Sequence, residues 1–240
     1  MTILTPTYHF AHYKLSFSKK ISIQQTLPLA DIIRKQLLRG EGWYTFGELS
    51  QTFSGKNPDA SIDVDHVHAF IMPICTNKKE YLDQLLVYSP LGFSIPTLVS
   101  LDRLQREVFF DSISLQLQEI SQNAPALFQR KAKRWRSVTP CLSFRHYKKN
   151  AGTLEDWWEA EVDRFCQAQK LPTTTSVSLL STSSESNIGW REFSLKRPSK
   201  PDNQLPRYAC LEITFKKPQS FPLCLGEYCH FGMGRFAPCE

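Results

Sequence analysis

The sequence predicts an α+β protein made of two tandem ferredoxin-like domains. Three observations carry this. The first 120 residues show the periodicities of strand, helix, strand, strand and helix in that order; a second strand, helix and run of strands follows residue 138; and 240 residues give room for two small domains rather than one. The expected division is an N-terminal ferredoxin-like domain over residues 1–120, a basic connector over 121–137, and a C-terminal ferredoxin-like domain over 138–240 that ends in a glycine-rich loop.

Tyr8 to Phe17 alternates as YHFAHYKLSF, the period of a strand with one aromatic face. Pro28 then opens LPLADIIRKQLLRG, where Leu29, Ile32, Ile33, Gln36 and Leu37 follow helical spacing and Gly40 supplies the stop. A polar, glycine-bearing stretch from Gly47 to Asp65 leads into VHAFIMPI, a short apolar strand. The turn-like TNKKEY separates it from a second strand, QLLVYSP, so the two predict a hairpin. In SLDRLQREVF a Ser or Asp start precedes Leu101, Leu104 and Val108 along one helical side. Helical character is expected to continue from Ile113 to Ile120, in place of the last ferredoxin strand or ahead of it.

Beyond the connector, TPCLSFRHY reads as a strand. LEDWWEAEVDRFCQAQ reads as a helix carrying Leu154, Trp157, Trp158, Val162 and Phe165. TTSVSLL, GWREFSLKR and RYACLEITFKKP are then expected as strands, and SFPLCLGEYCHFGMGRFAP closes the chain as a glycine-punctuated loop and strand.

Composition narrows the function. A hydrophobic share of 41% with 22% charged residues suits a globular chain with a real core. There is no run of roughly 18 or more apolar residues, which argues against a membrane helix. Thr2 to Tyr13 lacks the apolar region and cleavage site of a signal peptide, so the cytoplasm is the expected compartment. Seven scattered cysteines without a C-x-x-C pair are expected as buried free thiols.

The net charge of +6 is unevenly placed. Between Ile120 and Leu154 there is no Asp or Glu, while Arg130, Lys131, Lys133, Arg134, Arg136, Arg145, Lys148 and Lys149 all fall there, so the rest of the chain is slightly acidic. Cations interleaved with Trp135, Phe144 and Tyr147 suit a polyanion whose phosphates are paired and whose bases stack on rings; a solvated basic linker is the bland alternative.

Two of the six histidines, His66 and His68, sit together in DVDHVHAF. On an extended segment the i, i+2 spacing points both imidazoles to one face. A neutral imidazole is suited to take a proton from a ribose 2′-hydroxyl near neutral pH, after which the oxygen attacks the adjacent phosphate. That cleavage calls for a base, a proton donor and cations, with no metal and no cofactor. Asp63 and Asp65 beside the pair leave open a metal-binding alternative, and a purely structural role for the histidines stays open too. His146, between Arg145 and Lys148, is a candidate second base or phosphate contact, whereas His9 and His12 read as structural strand residues. In LGEYCHFGMGRF, Gly226, Gly232 and Gly234 allow close backbone approach to a ligand, and His230 and Arg235 add donors.

Taken in order, LADIIRKQLL, FSGKNPD, HVHAFIMP, LLVYSPLGF, SFRHYKK and LGEYCHFGMGRFAP resemble the repeat-processing half of the fused protein of type I-U (I-G) CRISPR systems, a Cas-six-like endoribonuclease of the RAMP superfamily. The resemblance spans roughly residues 27 to 238. It implies paired RRM-like ferredoxin domains and a metal-independent cut within the repeat of precursor CRISPR RNA, with a histidine after the first helix as base, matched here by His66 and His68. It also implies that the terminal glycine loop contacts RNA, that the guide RNA passes to other subunits of an interference complex, and that this copy stands alone or depends on a separate backbone-binding subunit. A catalytically silent guide-RNA-binding subunit is the alternative within the same assembly.

Overall fold

The computed structural model describes residues 7–46, 49–56, 68–76, 80–109, 112–148, 152–181, 190–198 and 206–239. The first half runs β1 (Phe10–Phe17), α1 (Thr26–Thr45), the single turn α2 (Gln51–Ser54), β2 (Phe70–Ile74), β3 (Gln84–Tyr88), α3 (Ile95–Arg103), β4 (Val108–Phe109) and β5 (Ile113–Ser121). Its antiparallel sheet has the order β2-β3-β1-β5-β4. Without the two-residue β4 this is a complete βαββαβ ferredoxin-like unit.

Alternation makes β1: Ala11, Tyr13 and Leu15 are buried toward the helices, and Lys14 and Ser16, which follow Tyr13 and Leu15, are exposed. β2 is buried at all five positions, because Ile71 faces the helices while Phe70, Met72 and Ile74 meet the second half of the chain. Pro73 is tolerated because β2 is the edge strand of its sheet.

Three expectations change in this half. Ile113 to Ile120 is not helical but forms β5, paired with β1 along its length, and so supplies the missing ferredoxin strand. The helix expected at SLDRLQREVF starts earlier, at Ile95, where the Ser94 hydroxyl caps the Thr97 N–H; Val108 already belongs to β4. Gly40 does not stop α1, which continues to Thr45 and ends on Phe46 in the left-handed conformation. Gly40 instead lets α3 pack close: a Cβ there would lie 2.4 Å from the Ser100 hydroxyl, which donates to the Leu37 carbonyl.

The second half runs β6 (Lys131–Ser137), β7 (Cys141–Ser143), α4 (Leu154–Ala168), β8 (Thr174–Leu180), β9 (Arg207–Ser220), β10 (Leu223–Cys224) and β11 (Arg235–Cys239). The sheet order β10-β11-β6-β9-β7, with β8 also on β9, again gives the ferredoxin arrangement of β6, α4, β8, β9 and β11. Where a second helix would stand, residues 225–234 form a glycine-rich loop with one 3-10 turn, Cys229–Phe231. α4 begins on a full capping box between Thr153 and Asp156. The segment 121–137, expected as a connector, carries β6 in the middle of this sheet. The described part of GWREFSLKR, from Trp190 on, is not a strand but a 3-10 turn at Trp190–Glu192 followed by irregular chain.

Phe70, Met72, Ile74 and Leu86 of the first sheet pack with Phe128, Cys224 and Cys229, which joins the halves. Phe231 and Met233 of the glycine loop enter the first half's core. All seven cysteines are free and all but Cys239 are buried. Among the described residues no helix is long and apolar enough to cross a membrane.

Candidate active site

The site forms where the glycine loop meets the start of β2. α2 ends on Gly55 at φ +66°, and a Cβ there would touch the His68 ring at 3.5 Å. Arg34 of α1 fixes this approach by donating from Nε to the Phe53 carbonyl at 2.8 Å and from Nη2 to the Ser54 carbonyl at 2.6 Å. The Ala69 N–H donates to Thr52 O at 2.7 Å, so half-buried His68 enters β2 from a held position.

The second imidazole comes from the far end of the chain. His230 lies in the 3-10 turn of the loop, between Tyr228 (φ +58°) and Gly232 (φ +76°). Its ring stacks on that of His68 with centroids 3.5 Å apart and an interplanar angle of 28°. Phe70 lies against it at 4.1 Å. His230 Nδ1 faces the Ala69 carbonyl at 3.3 Å, and the residue is 7% exposed.

Beside this pair stand two arginines. Arg197 donates from Nε and Nη2 to Oδ1 of buried Asp31 at 2.9 and 2.8 Å, and its guanidinium lies 4.3 Å from the Phe231 ring. Arg34 lies 5.9 Å from the same ring. Burial, and then the neighbouring Arg197 charge, push the Arg34 pKa down, while Asp31 opposes them. One carboxylate thus faces two guanidiniums, an electropositive setting next to the histidines. Neither Arg34 nor Arg197 was singled out from the sequence. Their partners are 19 and 166 residues away, and no local pattern announces such contacts.

The other candidate residues fall as follows. His66, Lys149, Asp63 and Asp65 lie outside the described residues. His146 is exposed after β7. Its neighbour Arg145 pairs with buried Glu161 at 2.8 Å, and Lys148 is exposed. His9 and His12 are half-buried and hydrogen-bonded to Ser89 O and the Gln84 side chain.

Arg130, Lys131, Lys133 and Arg134 line one cleft of about 520 Å³ with Pro238 and Cys239. Arg136 is committed to Glu212 across the sheet. A neighbouring cavity of about 310 Å³ shares Arg130 and Pro238 and reaches Ile74 to Thr76 at the far end of β2. At ~3.3 Å per strand residue, this basic surface is roughly 20 Å from the histidines. Trp135 is not a stacking platform: it is fully buried, with its indole N–H donating to Ala132 O. Phe144 and Tyr147 are half-buried and pack edge-on to Tyr228 and Trp157.

The loop glycines serve internal approaches. A Cβ on Gly226 would meet Leu142 O at 2.7 Å, one on Gly234 would meet Leu225 O at 1.8 Å, and one on Gly232 would meet the Thr26 methyl at 3.1 Å. Arg235 is buried at 3% exposure and lines the smaller cavity. No group of three or more metal-binding side chains occurs among the described residues.

No protein-family model matches the sequence, and no curated protein matches it. Among solved structures, a CRISPR associated protein Cas6 aligns over 97% of this chain and 100% of its own, with 10% identity and a TM-score of 0.47. A Cas6-related protein from Pyrococcus furiosus aligns over 97% of this chain and 99% of its own, with 10% identity and a TM-score of 0.50. At that identity the architecture is what is shared, and this chain carries the tandem ferredoxin-like fold of the Pyrococcus furiosus Cas6-related protein.

Proposed function

We propose that this chain is a metal-independent endoribonuclease that cuts precursor CRISPR RNA within its repeats to make guide RNA. The observation that carries the reading is the stacked pair of His68 and His230, held beside Arg34 and Arg197 on a tandem ferredoxin-like fold. The ordered motif resemblance from α1 to the glycine loop supports the same reading. His68 is the more accessible imidazole of the pair and acts as general base on the ribose 2′-hydroxyl, with His66 beside it in sequence as the other candidate. The two arginines supply the positive field for the phosphate. Farther along the substrate, the cleft lined by Arg130, Lys131, Lys133 and Arg134 tracks the RNA backbone. The product stays with the protein or passes to other subunits of a CRISPR interference complex in the cytoplasm.

The test is incubation of the purified chain with candidate repeat RNA in excess chelator, reading product length and the terminal phosphate. A single cut leaving a 2′,3′-cyclic phosphate is expected. His68→Ala is expected to slow it by about 10²–10⁴-fold while RNA affinity changes little. Full activity in both His66→Ala and His68→Ala would sink the assignment of the base. Tight binding with no cleavage by the wild-type chain would leave the RNA-holding role in place of the enzymatic one.

A further inference from the structure

Stacked imidazoles bring two proton-transfer groups to one place. The His68 and His230 rings have centroids 3.5 Å apart, a spacing at which two imidazolium charges would repel each other strongly. The pair places two imidazoles side by side, and 2′-hydroxyl attack calls for two such groups: a base for the nucleophile and an acid for the leaving oxygen. The surroundings tell the two apart. His230 Nδ1 faces the Ala69 carbonyl, which can only accept, so that nitrogen carries hydrogen. Phe70 packs on His230, and Phe231, next to it in sequence, holds the Arg34 and Arg197 guanidiniums against its ring. His68 is the more exposed ring and can meet the 2′-hydroxyl.

We propose that His230 is the second catalytic residue, the general acid that protonates the leaving 5′-oxygen, working with His68 as base; this rests on the endoribonuclease reading above. His68 takes the 2′-hydroxyl proton as the 2′-oxygen bonds to phosphorus. The bond from phosphorus to the 5′-oxygen breaks, and the proton on His230 goes to that oxygen, leaving a 2′,3′-cyclic phosphate and a 5′-hydroxyl. Attacking and leaving oxygens sit on one phosphorus, in line, with a separation of the same order as the ring spacing. Two adjacent ring edges can therefore serve both ends of one displacement.

The experiment compares two repeat RNAs in chelator, one natural and one with sulfur replacing the 5′-oxygen at the cut, since a thiolate leaves without protonation. His230→Phe keeps a ring between His68 and Phe70 while removing both nitrogens, and His230→Ala is run beside it. Both variants are expected to cut natural RNA about 10²–10⁴-fold more slowly than wild type and to cut the sulfur substrate within a few-fold of wild type. His68→Ala is expected to stay slow on both. Equal losses on the two substrates, no loss on the natural one, or rescue of His68→Ala by sulfur would each overturn the role of His230. Natural repeat RNA bound but left whole by the wild-type chain would instead overturn the endoribonuclease reading, and the acid with it.

Discussion

Arg197 and Asp31 form a buried ion pair that clasps the irregular chain after residue 190 to the first turns of α1. Both donor nitrogens lie within 3 Å of one carboxylate oxygen, and Asp31 is 1% exposed. Removing one member leaves the other charge in a poor dielectric, so Asp31→Ala is expected to lower unfolding stability by about 3–5 kcal/mol. The exposed pair of Arg106 and Asp102 provides the contrast, where Arg106→Ala is expected to cost no more than about 0.5 kcal/mol. Urea titration of the three proteins decides it, and equal midpoints for Asp31→Ala and wild type would remove the clasp from the account.

The clasp also marks where sequence reading stops. Strands β1, β2, β3, β8 and β9 and the helices α1 and α4 were legible because period and length are local. β5 was not, since Ile113, Leu115, Leu117 and Ile120 fit either period loosely and the pairing with β1 decides. Gly40 reads locally as a helix stop for the same kind of reason, because its role depends on Ser100 of α3. Of the site, His68 was legible as one of a pair of scarce histidines near a strand. Its partner His230 was noticed only as a donor in a glycine loop. The stack between them exists only once the second half docks on β2, and no pattern in either segment encodes that.

Glycines in the same protein are expected to respond in opposite ways to alanine. Gly234 has φ +57° and its Cβ would fall 1.8 Å from the Leu225 carbonyl oxygen, so Gly234→Ala is expected to destabilise by about 3 kcal/mol or more. Gly42 is helical, with its nearest neighbour at 3.7 Å, so Gly42→Ala is expected to stabilise by about 0.8 kcal/mol. Thermal unfolding of both variants gives the signs directly; a tolerated Gly234→Ala would mean that the loop has another course.

Buried thiols set the alkaline limit of stability. Burial pushes Cys210 up to about 11 and Cys166 and Cys224 up to about 12, against an ordinary value of 9.0. In the folded state these thiols stay protonated where the unfolded chain has begun to ionise. Their contribution is therefore complete below about pH 9 and is lost as pH rises toward the folded values, on the order of 1.4 kcal/mol per unit for each thiol. Denaturation midpoints at pH 8 and pH 10 are expected to fall, with a shallower fall in Cys210→Ala. A flat profile in the wild-type chain would contradict the burial of these thiols.

The basic cleft predicts a graded salt response among residues of one charge. Arg130, Lys131, Lys133 and Arg134 face a common cleft, whereas Arg136 is held by Glu212 and Arg145 by Glu161. Each phosphate contact with single-stranded RNA contributes about 0.7 to the slope of log affinity against log salt. Combined alanine substitution of Lys131, Lys133 and Arg134 is therefore expected to flatten the slope by about 2. Arg136→Ala and Arg145→Ala are expected to change it less, because those guanidiniums already have a carboxylate to neutralise. Buried Trp135 should keep its emission when RNA binds. The measurement is a set of fluorescence-anisotropy titrations of repeat RNA across salt concentrations, and an unchanged slope in the triple variant would move the RNA path away from β6.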